Sequence, residues 1–268
     1  MTMKTDKLAG RVAFVTGGTR GIGAAIATSL ASQGASVAVG HSRQSVDADR
    51  FLDELNRICA THGAKASMHL GNVGSPDDCR RTVDEVIDTH TRLDILVNNA
   101  GITSDKPVVS MTDEDWHNVL AVNLSGAFFI SQAALKHMLE RGTGRIINVS
   151  SVVGETGNIG QANYASSKSG LFGLTKTLAR ESSFQLAKSG KQHEDSIGIT
   201  VNTVTPGLVA TDMAAAIPPK ALERLKAQIP AGRLGHPDEI ARVVHFLAAD
   251  ASSYITGQVW SVNGGYDM

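Results

Sequence analysis

Thr16-Gly17-Gly18-Thr19-Arg20-Gly21-Ile22-Gly23 follows the short apolar run Val12 to Thr16 and opens onto Ile22, Ile26 and Leu30, which recur every four residues. The apolar run reads as a strand, and the recurrence at i, i+4, i+8 reads as one face of a helix. Glycines between them permit a tight turn and close backbone approach, so that a pyrophosphate placed there would rest on the partly positive end of the helix. A glycine-rich turn alone is also an ordinary strand-to-helix connection. Here both the strand before it and the helix after it are present, which is the context a dinucleotide-binding turn requires.

Outward from this unit the alternation continues. Ser36 to Gly40, Ala64 to Leu70, Ile95 to Val97, Arg145 to Val149, Ile199 to Val204 and Gln258 to Val262 are further short strand-like runs. Helical stripes lie between them: Phe51, Leu52, Leu55, Ile58 and Cys59 in one, and Cys79, Val83, Val86 and Ile87 in another, after the helix-start signal Ser75-Pro76-Asp77. Strands separated by helices of ten or more residues need crossover connections, hence a parallel sheet with helices on both faces. The expected fold is α/β, a doubly wound Rossmann-type sheet of about seven parallel strands in a single domain over residues 1–268. No Pro/Ser-rich linker, internal repeat or low-complexity tract divides the chain. Residues 188–196, Lys-Ser-Gly-Lys-Gln-His-Glu-Asp-Ser, are wholly polar between a helix and a strand and read as a solvated surface insertion.

Composition narrows the function classes. The 268 residues carry 25 Lys+Arg against 26 Asp+Glu, with 42% hydrophobic and 19% charged residues, which excludes general disorder. Without clustered Lys/Arg, nucleic-acid binding is not expected. Cys59 and Cys79 show no metal-ligand or disulfide spacing, so no metal is expected and both read as core or half-buried thiols. The first ten residues lack an apolar region, and no uninterrupted apolar stretch approaches the ~18–20 residues of a membrane span. A cytoplasmic protein with no membrane association is the expectation.

The glycine spacing is Gly-x-x-x-Gly-x-Gly. With Asn98-Asn99-Ala100-Gly101 after the fourth strand and Tyr164-x-x-x-Lys168 further on, the chain closely resembles the short-chain dehydrogenase/reductase family over nearly its whole length. The polar segment 188–196 is the clearest departure, that connection being much shorter in the family. The resemblance implies cofactor contacts from Gly17, Thr19, Arg20, Gly21, Ile22 and Gly23, from His41, Ser42 and Arg43 after the second strand, from Asn72 and Val73 beside the adenine, and from Asn99, Ala100 and Gly101. Which nucleotide binds follows from charge. A carboxylate at the end of the second strand would hold the ribose hydroxyls of NAD and repel a 2′-phosphate. Here that strand ends Gly40-His41-Ser42-Arg43 and the first acid is Asp47. Arg20 and Arg43 are placed by sequence to answer a phosphate with charge-assisted hydrogen bonds, so NADP(H) is expected.

Tyr164 and Lys168 stand four apart in a helical stretch and share one face. Reducing a ketone needs a proton donor, and a phenol of pKa near 10 is a weak one at neutral pH. An ammonium about 4 Å away, at an effective dielectric near 20, would contribute about 4 kcal/mol, or roughly three pKa units. The resemblance makes Tyr164 the general acid/base and Lys168 the residue that lowers its pKa and holds the nicotinamide ribose. By the thirteen-residue spacing to Tyr164, the family serine falls on Ser151, with Ser150 as the competing neighbour. Asn123, in Val122-Asn123-Leu124, matches the family asparagine that supports a water linking the lysine to solvent; by residue pattern alone it reads as a helix-interior polar residue.

Substrate class rests on the resemblance alone. Ser151-Val152-Val153-Gly154, Gly160-Gln161-Ala162-Asn163-Tyr164, Pro206 to Met213, Arg233-Leu234-Gly235 and Val262-Asn263-Gly264-Gly265 look like the branch that reduces 3-oxoacyl thioesters, on acyl carrier protein or, as in acetoacetyl-CoA reductases, on coenzyme A. A secondary-alcohol or sugar dehydrogenase is the alternative. Residues 206–232 would form a lid, with Pro206 and Gly207 at its opening turn, and Val209 and Thr211 near the nicotinamide. The resemblance counts Pro206, Gly207, Val209 and Thr211 among the cofactor contacts, together with Tyr164 and Lys168. The apolar run Ala214 to Ile217 suits either core packing or an acyl chain. The resemblance also implies a homotetramer built on the long helices after the fourth and fifth strands.

Overall fold

Val12–Thr16 (β1) is buried along its whole length, a state open to a strand only inside a sheet covered on both faces. In this computed structural model, which describes residues 7–193, 196–215 and 217–268, the sheet has seven strands. The others are Ser36–His41 (β2), Ala66–Leu70 (β3), Ile95–Asn98 (β4), Gly144–Val149 (β5), Ile199–Pro206 (β6) and Val259–Val262 (β7). Their order is β3-β2-β1-β4-β5-β6-β7, and every pairing is parallel. The chain therefore forms the doubly wound α/β sheet expected from its pattern. The order reverses between β1 and β4, which opens a crevice beyond their carboxyl ends.

The helices are Gly21–Ser32 (α1), Val46–Ala60 (α2), Pro76–His90 (α3), Asp113–Leu120 (α4), Gly126–Arg141 (α5), Val153–Thr156 (α6), Ala162–Lys188 (α7), Asp212–Ala215 (α8), Pro219–Lys226 (α9) and Pro237–Ala248 (α10). Period-2 alternation sorts the core into two layers. Ala13 and Val15 of β1 face Ile26, Leu30, Leu55, Val244 and Leu247 from α1, α2 and α10. Val12 and Phe14 face Val83, Val86, Ile130, Met138 and Leu178 from α3, α5 and α7. Cys59 and Cys79 are both buried free thiols, one in each layer.

Three details differ from the sequence reading. The strands expected from Ala64 and Gln258 begin at Ala66 and Val259, because the N–H groups of Ala64, Lys65 and Gln258 are bonded outside the ladder, to the Cys59 carbonyl oxygen, Ser36 Oγ and Asn202 Oδ1. The chain between Asp113 and Arg141 is one continuous helical stretch of 29 residues, long and apolar enough by composition to cross a membrane. Ile130, Ala134 and Met138 of that stretch are spent on the core. Finally, the polar segment after α7 is not wholly given to solvent. Lys191 Nζ donates to the carbonyl oxygens of Leu139 at 3.0 Å and Glu140 at 2.7 Å, capping the carboxyl end of α5. Residues 194 and 195 of that segment, and residue 216 of the apolar run in the lid, lie outside the described residues.

Candidate active site

The crevice is lined by the turns that leave β1, β2, β4, β5 and β6. After β1, Gly17 has φ 61°, a left-handed conformation that disfavours side chains. A methyl group at Gly23 would strike the Gly17 carbonyl oxygen and Asn99 Nδ2, so the turn folds onto the first turn of α1 only because Gly23 has no side chain. Thr16 staples the two strands at the switch point. Its Oγ1 accepts the backbone N–H of Asn99 and of Ala100, each at 3.0 Å, and Asn99 Nδ2 donates to the Thr16 and Gly17 carbonyl oxygens at 3.0 and 3.1 Å. Thr16, quoted in the sequence motif, carries this junction although no cofactor contact was assigned to it.

The result is a cradle of backbone N–H groups at the amino end of α1, open to an anion. Arg20 precedes α1 and Arg43 follows β2; both are exposed. Among the described residues neither is in an ion pair, and the acid after β2, Asp47, pairs with Arg50 on the surface at 3.5 Å. His41 Nδ1 lies 2.7 Å from the Arg43 carbonyl oxygen, which shapes the turn carrying Ser42. Asn72 is exposed, and its Oδ1 accepts the Gly74 N–H at 2.9 Å, leaving its amide group for other partners. Val73 beside it packs against the α3/α5 layer. On the opposite wall, Thr211 packs over Gly21, where an added methyl would lie 3.4 Å from its Cγ2. Val209 is bridged to Gly235, so the segment from Pro206 through Gly207 is tied down before the lid helices begin.

Ser151, Tyr164 and Lys168 converge at the carboxyl end of β5. The two serines after that strand are told apart by their partners. Ser150 Oγ is buried and donates to the Lys168 carbonyl oxygen at 2.8 Å, whereas Ser151 hydrogen-bonds the Tyr164 phenol and accepts the Val153 N–H at 3.2 Å. Lys168 is only 4% exposed. Its Nζ donates to the Val149 carbonyl oxygen at 2.9 Å, and burial pushes its pKa down to about 8.

The phenol departs from expectation. Burial raises its pKa, the Ser151 hydrogen bond opposes the rise, and the Asp105 carboxylate adds to it. Lys168 Nζ lies 5.7 Å from the ring centroid, and burial disfavours its own charged form. Asp105 is a second influence on the phenol that the sequence pattern did not single out. Its Oδ2 accepts from Gln161 Nε2 at 3.0 Å.

Asn123 lies in a π-helical turn, Ala121–Ser125, rather than in a regular helix interior. Such turns widen the helix by one residue and re-aim side chains. The Asn123 carboxamide accepts the Ile102 N–H at 2.9 Å and donates to the Ile102 carbonyl oxygen at 3.0 Å and to Ser167 Oγ at 3.1 Å. Its Oδ1 and Lys168 Nζ both flank Gly101, at 3.4 Å from where a Cβ would stand. Asn163, also not assigned from sequence, is fully buried next to Tyr164 and binds the same wall of the crevice.

Residues 17–267 match the family described as enoyl-(acyl carrier protein) reductase. The chain is 44% identical over 259 residues to a 3-oxoacyl-acyl-carrier-protein reductase FabG of Aquifex aeolicus, covering 97% of this chain and 98% of that one. It is 43% identical to the enzyme of the same name from Escherichia coli, with the same coverage. A solved structure from Sinorhizobium meliloti 1021, described as a short-chain alcohol dehydrogenase, superposes with a TM-score of 0.86 at 34% identity, over 97% of this chain and 98% of that one.

Proposed function

The chain belongs to the short-chain dehydrogenase/reductase family, and from that premise we propose that it reduces a 3-oxoacyl thioester to the 3-hydroxyacyl thioester with NADPH. The observation that carries the reading is the convergence of Ser151, Tyr164 and Lys168 beside the glycine cradle. The names of relatives 41–44% identical over nearly their full length favour the acyl-carrier-protein form of the substrate and the ketone over the enoyl bond. The residues at the cradle fit a dinucleotide: small where the backbone must come close, with Arg20 at the start of α1 and with Arg43 after β2, where a carboxylate would select NAD.

When bound, the reduced nicotinamide nucleotide supplies the hydride that the carbonyl carbon takes up. The chain's own residues manage the oxygen. The Tyr164 hydroxyl donates its proton as the alkoxide develops, and the Ser151 hydroxyl donates a hydrogen bond to the same oxygen. Of the three Lys168 ammonium hydrogens one is spent on Val149, leaving two for the ribose hydroxyls and for charge that favours the tyrosinate left behind. Asn99, Ala100 and Gly101 line the crevice between cradle and lysine, Thr211 stands across from Gly21, and Val209 is bridged to Gly235 just before it. A homotetramer is part of the proposal, supported by Phe128 on α5 and Phe184 on α7, which are 40% and 66% exposed.

Steady-state kinetics with acetoacetyl thioesters of acyl carrier protein and of coenzyme A, each with NADPH and NADH, test the reading. We expect turnover on the carrier-protein thioester, with kcat/KM at least about tenfold higher for NADPH than NADH. Failure to oxidise NADPH with either thioester overturns the substrate, and equal efficiency with NADH overturns the cofactor.

A further inference from the structure

Tyr164 is held at both ends of its peptide unit by a buried asparagine. On the carbonyl side, Ser167 Oγ donates to the Tyr164 oxygen at 2.7 Å and in turn accepts from Asn123 at 3.1 Å. On the amide side, Asn163 Oδ1 accepts the Tyr164 N–H at 2.7 Å. The first turn of α7 otherwise lacks this service, because Gln161 at the cap position makes no side-chain cap bond. The Asn163 amide group donates both of its hydrogens, at 3.0 Å to the Ser104 carbonyl oxygen and at 3.0 Å to the Asp115 carbonyl oxygen.

Those two carbonyls belong to the wall segment 102–115, which runs from the crevice end of β4 into α4. The segment is organised from within by the Asp115 carboxylate. It accepts from Ser104 Oγ at 2.8 Å, Lys106 Nζ at 2.6 Å and Thr112 Oγ1 at 2.7 Å. It meets the residues before Tyr164 twice more, through Lys106 N–H to the Gly160 carbonyl oxygen at 2.8 Å and Gln161 to Asp105 at 3.0 Å. Asn163 has no exposed surface, so its amide hydrogens have no water to fall back on.

We propose that Asn163 is a positioning residue that locks the first turn of α7 to the wall segment, so that the Tyr164 phenol and the wall facing the substrate hold one fixed geometry. Asn123 does the same work from the other side, at Ile102. The proposal rests on Tyr164 acting as the proton donor. A misplacement of about 1 Å at a reacting group costs up to about a hundredfold in rate, so a seam remote from the chemistry can govern kcat.

The test uses the full-length protein with Asn163→Ala, and with the isosteric Asn163→Asp, whose carboxyl group keeps an oxygen for the Tyr164 N–H but donates at most one hydrogen bond to the wall. Thermal unfolding reports the folded fraction. Kinetics with NADPH and an acetoacetyl thioester, NADPH affinity by fluorescence, and the tyrosinate absorbance titration of each protein against its Tyr164→Phe counterpart are then measured. We expect kcat per folded molecule to fall about tenfold or more in Asn163→Ala and by less in Asn163→Asp. NADPH affinity should stay within about twofold, and the Tyr164 titration should be displaced in both variants. A merely structural residue would lower thermal stability and leave kcat per folded molecule and the titration unchanged, and that result overturns the proposal. If Asn163→Ala does not fold, an unchanged kcat and titration in Asn163→Asp overturns it equally. A wild type that reduces no thioester would instead defeat the functional reading, while the tyrosine titration would still decide the positioning role.

Discussion

Lys168 and Arg145 are both buried cations, 4% and 3% exposed, at opposite ends of β5. Arg145, at the amino end of the sheet, donates through Nη1 to the carbonyl oxygens of Gly144 and Gly198 at 2.7 and 3.0 Å, and its Nη2 lies 3.6 Å from Asp250. Arg11 ties Asp250 to Asp94, and Arg92 binds Asp94 through Nε at 2.7 Å. Burial lowers Arg145 to about 10 while Asp250 pulls it back up, so it keeps its charge. Lys168, at the carboxyl end, has one carbonyl and no carboxylate among the described residues, and is lowered to about 8. A buried cation inside an ion-pair cluster has its charge answered, and removing it would leave its carboxylate and carbonyl partners unpaired. One left without an anion burdens the fold and is retained for what it does in the crevice.

The largest effects expected from this contrast separate activity from stability. Lys168→Met should lower kcat by about a hundredfold or more and weaken NADPH binding, yet leave the protein as stable as the wild type or more so. The sign follows from linkage. Lys168 has a folded pKa near 8 against 10.5 unperturbed, so its charge burdens the folded state fully below pH 8, by something on the order of 3 kcal/mol. That burden is relieved as pH rises from 8 to 10.5, and the variant should lose this dependence. Arg145→Met should do the reverse, costing about 2–4 kcal/mol in chemical denaturation by freeing carbonyls and an aspartate, with kcat per folded molecule unchanged. Reversed outcomes would break the comparison.

A smaller effect concerns the crevice alone. Asp105 raises the Tyr164 pKa, so Asp105→Asn, which can keep a hydrogen bond to Gln161, should lower it. In the oxidative direction, where the phenolate acts as base, the alkaline rise in activity should move to lower pH, with kcat changing by less than about tenfold. A pH profile that stays in place or moves the other way would contradict the electrostatic reading.

The two faces of the crevice were unequally legible in the sequence. The cradle is written contiguously: Gly17, Gly21 and Gly23 lie within one turn between a strand and a helix, and local spacing conveys their use. The wall is held by side chains whose partners lie far along the chain, Asn163 reaching back 59 residues to Ser104 and Asn123 reaching forward 44 to Ser167. No periodicity announces such pairs. The π-helical turn at Asn123 is hidden for the same reason, since its residues are compatible with a regular helix. Seven strands were readable because each is an apolar run bounded by turns; Ala64 and Gln258 were overrun because run composition does not mark where pairing starts. Spacing places Lys168 near the Tyr164 ring but carries no information on burial, which raises the phenol pKa.

Tyr164→Phe is the most direct test of the central claim. The substitution removes one oxygen and keeps the ring in place. Pre-steady-state and steady-state reduction of an acetoacetyl thioester by NADPH should be slower by about a hundredfold or more, with NADPH affinity preserved. A folded Tyr164→Phe protein that binds NADPH and turns over at close to the wild-type rate would contradict the account.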